Sequence, residues 1–96
     1  FPTVPKMERD INFIFNKKYL VSEIISQIKK SGKKLLEDVN LIDVYDDDNF
    51  GMEFISYTFR LSHRDPERTL LDSDIVLVHN NIVETIEKNF STKLRV

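Results

Sequence analysis

Hydrophobic and polar positions alternate along this chain with two different periods, and the switches between them mark its elements. From Arg9 to Phe15 the period is two. Ile11, Phe13 and Phe15 fall on one side and Asp10, Asn12 and Ile14 on the other, which predicts a strand with one buried face. Ahead of it, Phe1-Pro2-Thr3-Val4-Pro5 reads as an extended arm, because its two prolines block both helix and ladder. After a turn at Asn16-Lys17-Lys18, Val21, Ile24, Ile25 and Ile28 recur at i, i+3, i+4 and i+7. That spacing predicts an amphipathic helix ending near Ser31-Gly32, with glycine as the usual C′ residue. Leu35 to Asp46 returns to period two, with Ile42 and Val44 assigned to the core side and Leu41, Asp43 and Tyr45 to the other. Asp46-Asp47-Asp48-Asn49-Phe50-Gly51 is a turn by composition. In the clearest strand, Ile55, Tyr57, Phe59 and Leu61 alternate with Ser56, Thr58, Arg60 and Ser62. A proline loop follows from Arg64 to Thr69, and Asp72 is the expected cap of a second helix. Ile75, Val78, Ile82, Ile86 and Phe90 carry that helix to about Asn89, and Lys93-Leu94-Arg95-Val96 closes as a short strand.

The order β-α-β-β-α-β predicts an α+β, ferredoxin-like sandwich: an antiparallel four-stranded sheet with two helices on one face. By parity the other face is open. It should carry Asp10, Asn12, Ile14, Leu41, Asp43, Tyr45, Ser56, Thr58 and Arg60. In the usual strand order the first and third strands are central and the second flanks the third, so Asn12, Ser56 and Tyr45 are expected to form one patch. An aromatic ring among short hydrogen-bonding side chains suits an unstacked nucleobase, with Tyr45 for stacking and Asn12, Asp43 and Ser56 for the base edge. A carboxylate is a poor neighbour for phosphate, but it can accept both N–H groups on the Watson–Crick edge of guanine. The plainer alternative for Tyr45 is cross-strand packing.

Length and composition narrow the field. Ninety-six residues at 41% hydrophobic make a single domain, residues 1–96, with one core and no interdomain cleft. The absence of cysteine excludes disulfides, thiolate metal sites and a cysteine nucleophile, and two glycines are too few for a phosphate-cradling loop. No apolar run is long enough for a membrane span. The first residue is Phe rather than Met, so a fragment of something longer is expected.

The net charge of −2 hides a gradient: residues 6–34 carry eight Lys/Arg against three Asp/Glu, whereas residues 35–57 carry seven acids and no base. Lys29, Lys30, Lys33 and Lys34 either complement the dipole of the first helix or meet phosphate. Asp46-Asp47-Asp48 reads as a solvated turn, lacking the alternating ligands and closing Glu of a calcium loop. His63 and His79 are boundary residues without a nucleophile beside them, and Asp10 with Asp43 gives no sign of a sugar substrate. No catalytic or metal site is expected.

Arg64-Asp65-Pro66-Glu67-Arg68-Thr69-Leu70, preceded by Tyr57-Thr58-Phe59-Arg60-Leu61, resembles the signature of the C-terminal anticodon-binding domain of bacterial phenylalanyl-tRNA synthetase β subunits. Phe1-Pro2 with Arg9-Asp10-Ile11 is similar to the opening of that domain, and Leu41-Ile42-Asp43-Val44-Tyr45 to its second strand. The resemblance runs the length of the chain and implies a ferredoxin-like fold. It implies that the guanine at the first anticodon position of phenylalanine tRNA stacks on Tyr45, with Asp43, Ser56 and Asn12 around the base. Thr58 belongs to the same RNA-binding face, and Arg9, Arg60 and the lysine-rich helix end would neutralise phosphate. Three departures stand out: Asn12 replaces a small apolar residue, Leu71 a capping Thr or Ser, and the turn at Asp46-Asp47-Asp48 is unusually acidic.

The resemblance further implies a cytoplasmic enzyme in which ATP, magnesium and phenylalanine bind elsewhere, so that this domain needs no cofactor. The expected partners are the tRNA anticodon, the remainder of the β subunit and the α subunit. Two other classes share the element order: an amino-acid-binding regulatory domain, which usually relies on glycine-containing turns, and a protein–protein interaction module. The third strand lacks the Lys/Arg-Gly-aromatic motif of general RNA-recognition domains.

Overall fold

Strands β1 (Met7–Asn16), β2 (Leu36–Tyr45) and β3 (Phe54–His63) run antiparallel in the order β2-β3-β1, and helices α1 (Val21–Gly32) and α2 (Asp72–Phe90) pack on one face. The structure, a computed structural model, describes residues 4–90 and 92–94. Phe1-Pro2-Thr3 of the expected arm and Arg95-Val96 of the expected last strand lie outside the described residues. The fourth strand, β4 (Lys93–Leu94), is two residues long and sits beside β1, with Leu94 opposite Phe13 and Lys93 opposite Ile14. Three long strands carry the sheet, and of the expected short fourth strand the described residues are Lys93 and Leu94, paired at the edge beside β1.

The core forms where the two periodicities meet. Phe13 and Phe15 of β1, Phe59 and Leu61 of β3, Ile24 and Ile28 of α1, and Ile82 and Ile86 of α2 are all 0% exposed. Phe15 is the aromatic hub, with ring centroids of Phe13, Tyr57, Phe59 and Phe90 all between 5.7 and 6.4 Å away. The Asn81 side chain on α2 donates to the Ser31 carbonyl at 2.7 Å. It thereby satisfies a carbonyl that the end of α1 leaves without a partner, and pins the two helices together.

Both helix ends differ from expectation. Gly32 is the last residue of α1 at φ −77°, and Lys33 takes the positive φ of 54° instead. Glycine is needed for closeness rather than handedness there, because a Cβ would overlap the Leu36 side chain. At α2 the cap is Leu71, not Asp72: the Leu71 carbonyl accepts from the Asp74 and Ile75 amides at 3.0 and 3.3 Å. Asp74 reaches back to take the Leu71 amide at 2.9 Å, one half of a capping box. Arg68 and that amide hold the Asp74 carboxyl below its ordinary pKa.

Strand β2 corrects the parity reading. Val39 pairs with Leu61 and Leu41 with Phe59, both toward the helices, but the next pairs are Asp43 with Thr58, Val44 with Tyr57 and Tyr45 with Ser56. Ile42 is an extra residue in a β-bulge, so the strand changes phase there. Leu41, expected on the open face, packs against the core, and Ile42, expected inside, is 42% exposed. Val44 keeps the expected helix-side face opposite Tyr57 but is 51% exposed there. A second irregularity leaves Glu37 unpaired between Leu36 and Asp38.

His63 ends β3 on the helix side, as its parity predicts, and is fully buried. Neither of its ring nitrogens has a hydrogen-bond partner, and His79 Nδ1 on α2 is likewise buried and unpaired. Burial pushes the His63 pKa below its ordinary 6.5, helped by His79 and the Arg9 guanidinium. Burial followed by Arg9 does the same to His79. The fold therefore favours the neutral form of both imidazoles.

Two outcomes follow from this packing. Leu41→Ala should cost about 2 kcal/mol in a denaturant melt, and Ile42→Ala under about 1 kcal/mol; a reversed order would refute the bulge. Because the folded pKa of His63 lies below its unfolded value, its neutral form supports the fold fully above pH 6.5. That contribution is lost as the pH falls from 6.5 toward the folded pKa. The melting temperature should therefore drop between pH 7 and 5, and His63→Phe should flatten that drop.

Candidate functional site

On the face away from the helices, cross-strand pairing arranges the side chains in rows. Asn40, Arg60 and Asp10 form one row across β2, β3 and β1; Asp43, Thr58 and Asn12 form the next; Tyr45, Ser56 and Ile14 form the third. Partners in a row are neighbours across about 4.8 Å of sheet. Successive rows are two residues apart along β1 and β3, whereas on β2 the bulge makes the step from Asn40 to Asp43 three residues. Asn12, Asp43, Tyr45, Ser56, Thr58 and Arg60 thus all lie on one face, as expected from sequence. Arg9 does not. It has the opposite parity, lies on the helix side and pairs with Asp72 at 3.1 Å, so it leaves the open-face group.

Asn12 is the centre of the polar floor. Its Nδ2 lies 2.8 Å from Ser56 Oγ, 2.6 Å from Thr58 Oγ1 and 3.2 Å from the Tyr57 carbonyl, while its Oδ1 is buried without a hydrogen-bond partner. Asn12 therefore ties β1 to β3 through both hydroxyls. Ser56 is only 1% exposed, so its hydroxyl supports the floor from below and the groups reaching the surface are Thr58, Asp43 and Tyr45. Tyr45 is 45% exposed, and Asp43 beside it is exposed as well.

The charged groups are largely committed. Arg60 forms two hydrogen bonds to the Asp10 carboxylate, at 3.0 and 3.2 Å, with Glu8 at 3.6 Å, and the Asp10 contact raises its pKa. Lys17 pairs with Asp46 at 2.9 Å, and Arg64 with Glu37 at 3.2 Å. Lys29, Lys30, Lys33 and Lys34 are all exposed, but at the end of α1, in the helix layer rather than on the open face. A groove of about 600 Å³ nearby is lined by Leu35, Leu77 and Val78, on the helix side and away from these rows. A flat heterocycle needs no such concavity, since it lies on a sheet face by stacking.

Sequence reading missed two residues at this site. The acidic turn does not simply face water: Tyr45 Oη donates to Asp47 Oδ2 at 2.8 Å, and the Phe50 ring meets the Tyr45 ring at 5.8 Å with planes 76° apart. The i, i+2 spacing of Tyr45 and Asp47 was the available signal, because such residues share a face. Among the described residues, no group of three or more His, Asp or Glu is placed to hold a metal ion, and no helix is long and apolar enough to cross a membrane.

The chain is similar along its whole length to known proteins. The model of the ferredoxin-fold anticodon binding domain matches residues 2–95. The chain is 84% identical over 95 residues to a phenylalanine–tRNA ligase beta subunit of Prochlorococcus marinus subsp. pastoris, covering 99% of the chain and 12% of that protein. The same subunit from Prochlorococcus marinus (strain MIT 9312) is 61% identical and that from Synechococcus sp. (strain CC9902) 39%, with the same coverage. The chain spans about one-eighth of the length of these relatives.

Proposed function

The chain belongs to the ferredoxin-fold anticodon-binding domain family, and we propose that it takes the first anticodon base of phenylalanine tRNA on its open sheet face as part of a phenylalanyl-tRNA synthetase β subunit. The observation that carries this reading is the exposed Tyr45 ring beside Asp43, on the side of the sheet that neither helix covers. Stacking of a base on such a ring contributes about 1–3 kcal/mol and does not discriminate among bases. Discrimination falls to Asp43. Its carboxylate accepts the two N–H groups on the Watson–Crick edge of guanine, whereas adenine would turn a ring-nitrogen lone pair toward the same oxygens. Thr58 and Asn12 supply the polar floor next to it.

This binding is local rather than phosphate-driven, because Arg60 is engaged by Asp10 and Arg9 lies on the helix side. The salt dependence should be correspondingly shallow. Within such an enzyme the ligation chemistry, with its ATP, magnesium and phenylalanine, belongs to other parts. The domain's partners are the tRNA, the rest of the β subunit and the α subunit, in the cytoplasm.

Tyr45→Ala should weaken binding of an anticodon stem-loop by about 5- to 150-fold, measured by titration, while the melting temperature stays close to the parent's. A large loss of thermal stability with unchanged affinity would make Tyr45 a packing residue instead. Replacing the first anticodon guanine by adenine should weaken binding to the parent strongly and to Asp43→Ala little. Equal discrimination by both proteins would take the reading role away from Asp43.

A further inference from the structure

Tyr45 is the last residue of β2, an edge strand of the sheet, where a half-exposed side chain ordinarily samples several rotamers. Holding it in one orientation for a ligand would cost side-chain entropy on binding. The turn that follows β2 removes that freedom beforehand. Asp47 Oδ2 accepts the phenol O–H at 2.8 Å, while its other oxygen, Oδ1, accepts the Asn49 amide at 2.9 Å, so the carboxylate itself is fixed. The 3₁₀ turn Asp48–Phe50 is closed by the Phe50 amide on the Asp47 carbonyl at 2.9 Å and the Gly51 amide on the Asp48 carbonyl at 3.1 Å. Gly51 leaves the turn at φ +93°, a conformation other residues rarely adopt. The result brings the Phe50 ring against Tyr45 with planes 76° apart, so Phe50 does not lie flat on the phenol.

We propose that Asp47 and Phe50 are positioning residues: the acidic turn clamps the Tyr45 ring in the orientation that receives the base, without touching the RNA itself. The proposal rests on the base-stacking reading above and deepens it. It also explains why an acidic turn stands next to an RNA-binding face. Asp46 is neutralised by Lys17 at 2.9 Å and Asp47 is occupied by the phenol, so two of the three carboxylates have work within the protein.

Simple Coulomb repulsion and the clamp predict opposite signs for the same substitution. Removing the Asp47 charge should tighten RNA binding if the turn only repels phosphate. With the clamp, Asp47→Ala should weaken binding of the anticodon stem-loop by about 3- to 10-fold, the size of one lost hydrogen bond. Tyr45→Phe removes the same bond from the other side, leaves the turn untouched and should show an equal loss. The Asp47→Ala, Tyr45→Phe double variant should bind no more weakly than either single one, and Asp47→Asn, which keeps an acceptor, should restore most of the affinity. In the RNA-free protein, the NMR signals of the Tyr45 ring should move toward exposed-tyrosine values in Asp47→Ala. Tighter or unchanged binding by Asp47→Ala, or additive losses in the double variant, would overturn the clamp while leaving base stacking intact. Parent-like binding by Tyr45→Ala would instead overturn base stacking, and the clamp with it.

Discussion

The bulge at Ile42 is the constraint on which the two faces of this molecule depend. Up to Leu41, β2 has to cover the core, with Val39 opposite Leu61 and Leu41 opposite Phe59. Two and four residues later it has to show Asp43 and Tyr45 to the other side. A regular strand cannot do both, because residues two and four apart share a face. One unpaired residue resolves the conflict, and Ile42 is left at the surface as a consequence. A bulge also bends and twists its strand locally, at the place where the aromatic turn begins.

With the faces separated, the charges divide by layer. Arg60 with Asp10 and Lys17 with Asp46 neutralise one another beside the open face, Arg9 with Asp72 and Arg68 with Asp74 tie down the start of α2, and the four lysines gather at the end of α1. The candidate site is therefore not an electrostatic trap. It is an aromatic ring, a carboxylate and a polar floor, a set that distinguishes one flat heterocycle from another better than it attracts a polyanion. The net charge of −2 and the acidic second strand are compatible with RNA binding on those terms.

Polar groups below the surface do structural work in both layers. Asn12 fastens β1 to the hydroxyls of β3 under the open face, and Asn81 fastens α2 to the end of α1. His63, by contrast, is fully buried and His79 half-buried, and three of their ring nitrogens lie buried without a hydrogen-bond partner. Burial favours their neutral forms, at a cost to the fold that rises in acid.

The sequence alone determined the element order, the face on which each residue of β1 and β3 lies, the stripes of both helices and the sharing of one face by Tyr45 and Asp43. Each of these follows from a residue spacing of two or of three and four, which the backbone geometry turns directly into a face. Only the tertiary structure decided the rest. Whether Leu41 or Ile42 faces the core depends on a bulge set by pairing with β3, and both are apolar, so the local pattern could not choose. Arg9 lies off the open face by its own parity in β1, opposite Leu61; what the tertiary structure added is its partner, Asp72, 63 residues away on the helix side. Glycine is required at position 32 because Leu36 folds back over it, leaving no room for a Cβ. Asp47 and Phe50 are recruited to Tyr45 by the closing of a turn, and composition read that turn only as solvated. These are long-range or conformational outcomes, and they arise when segments meet rather than from the identity of any residue alone.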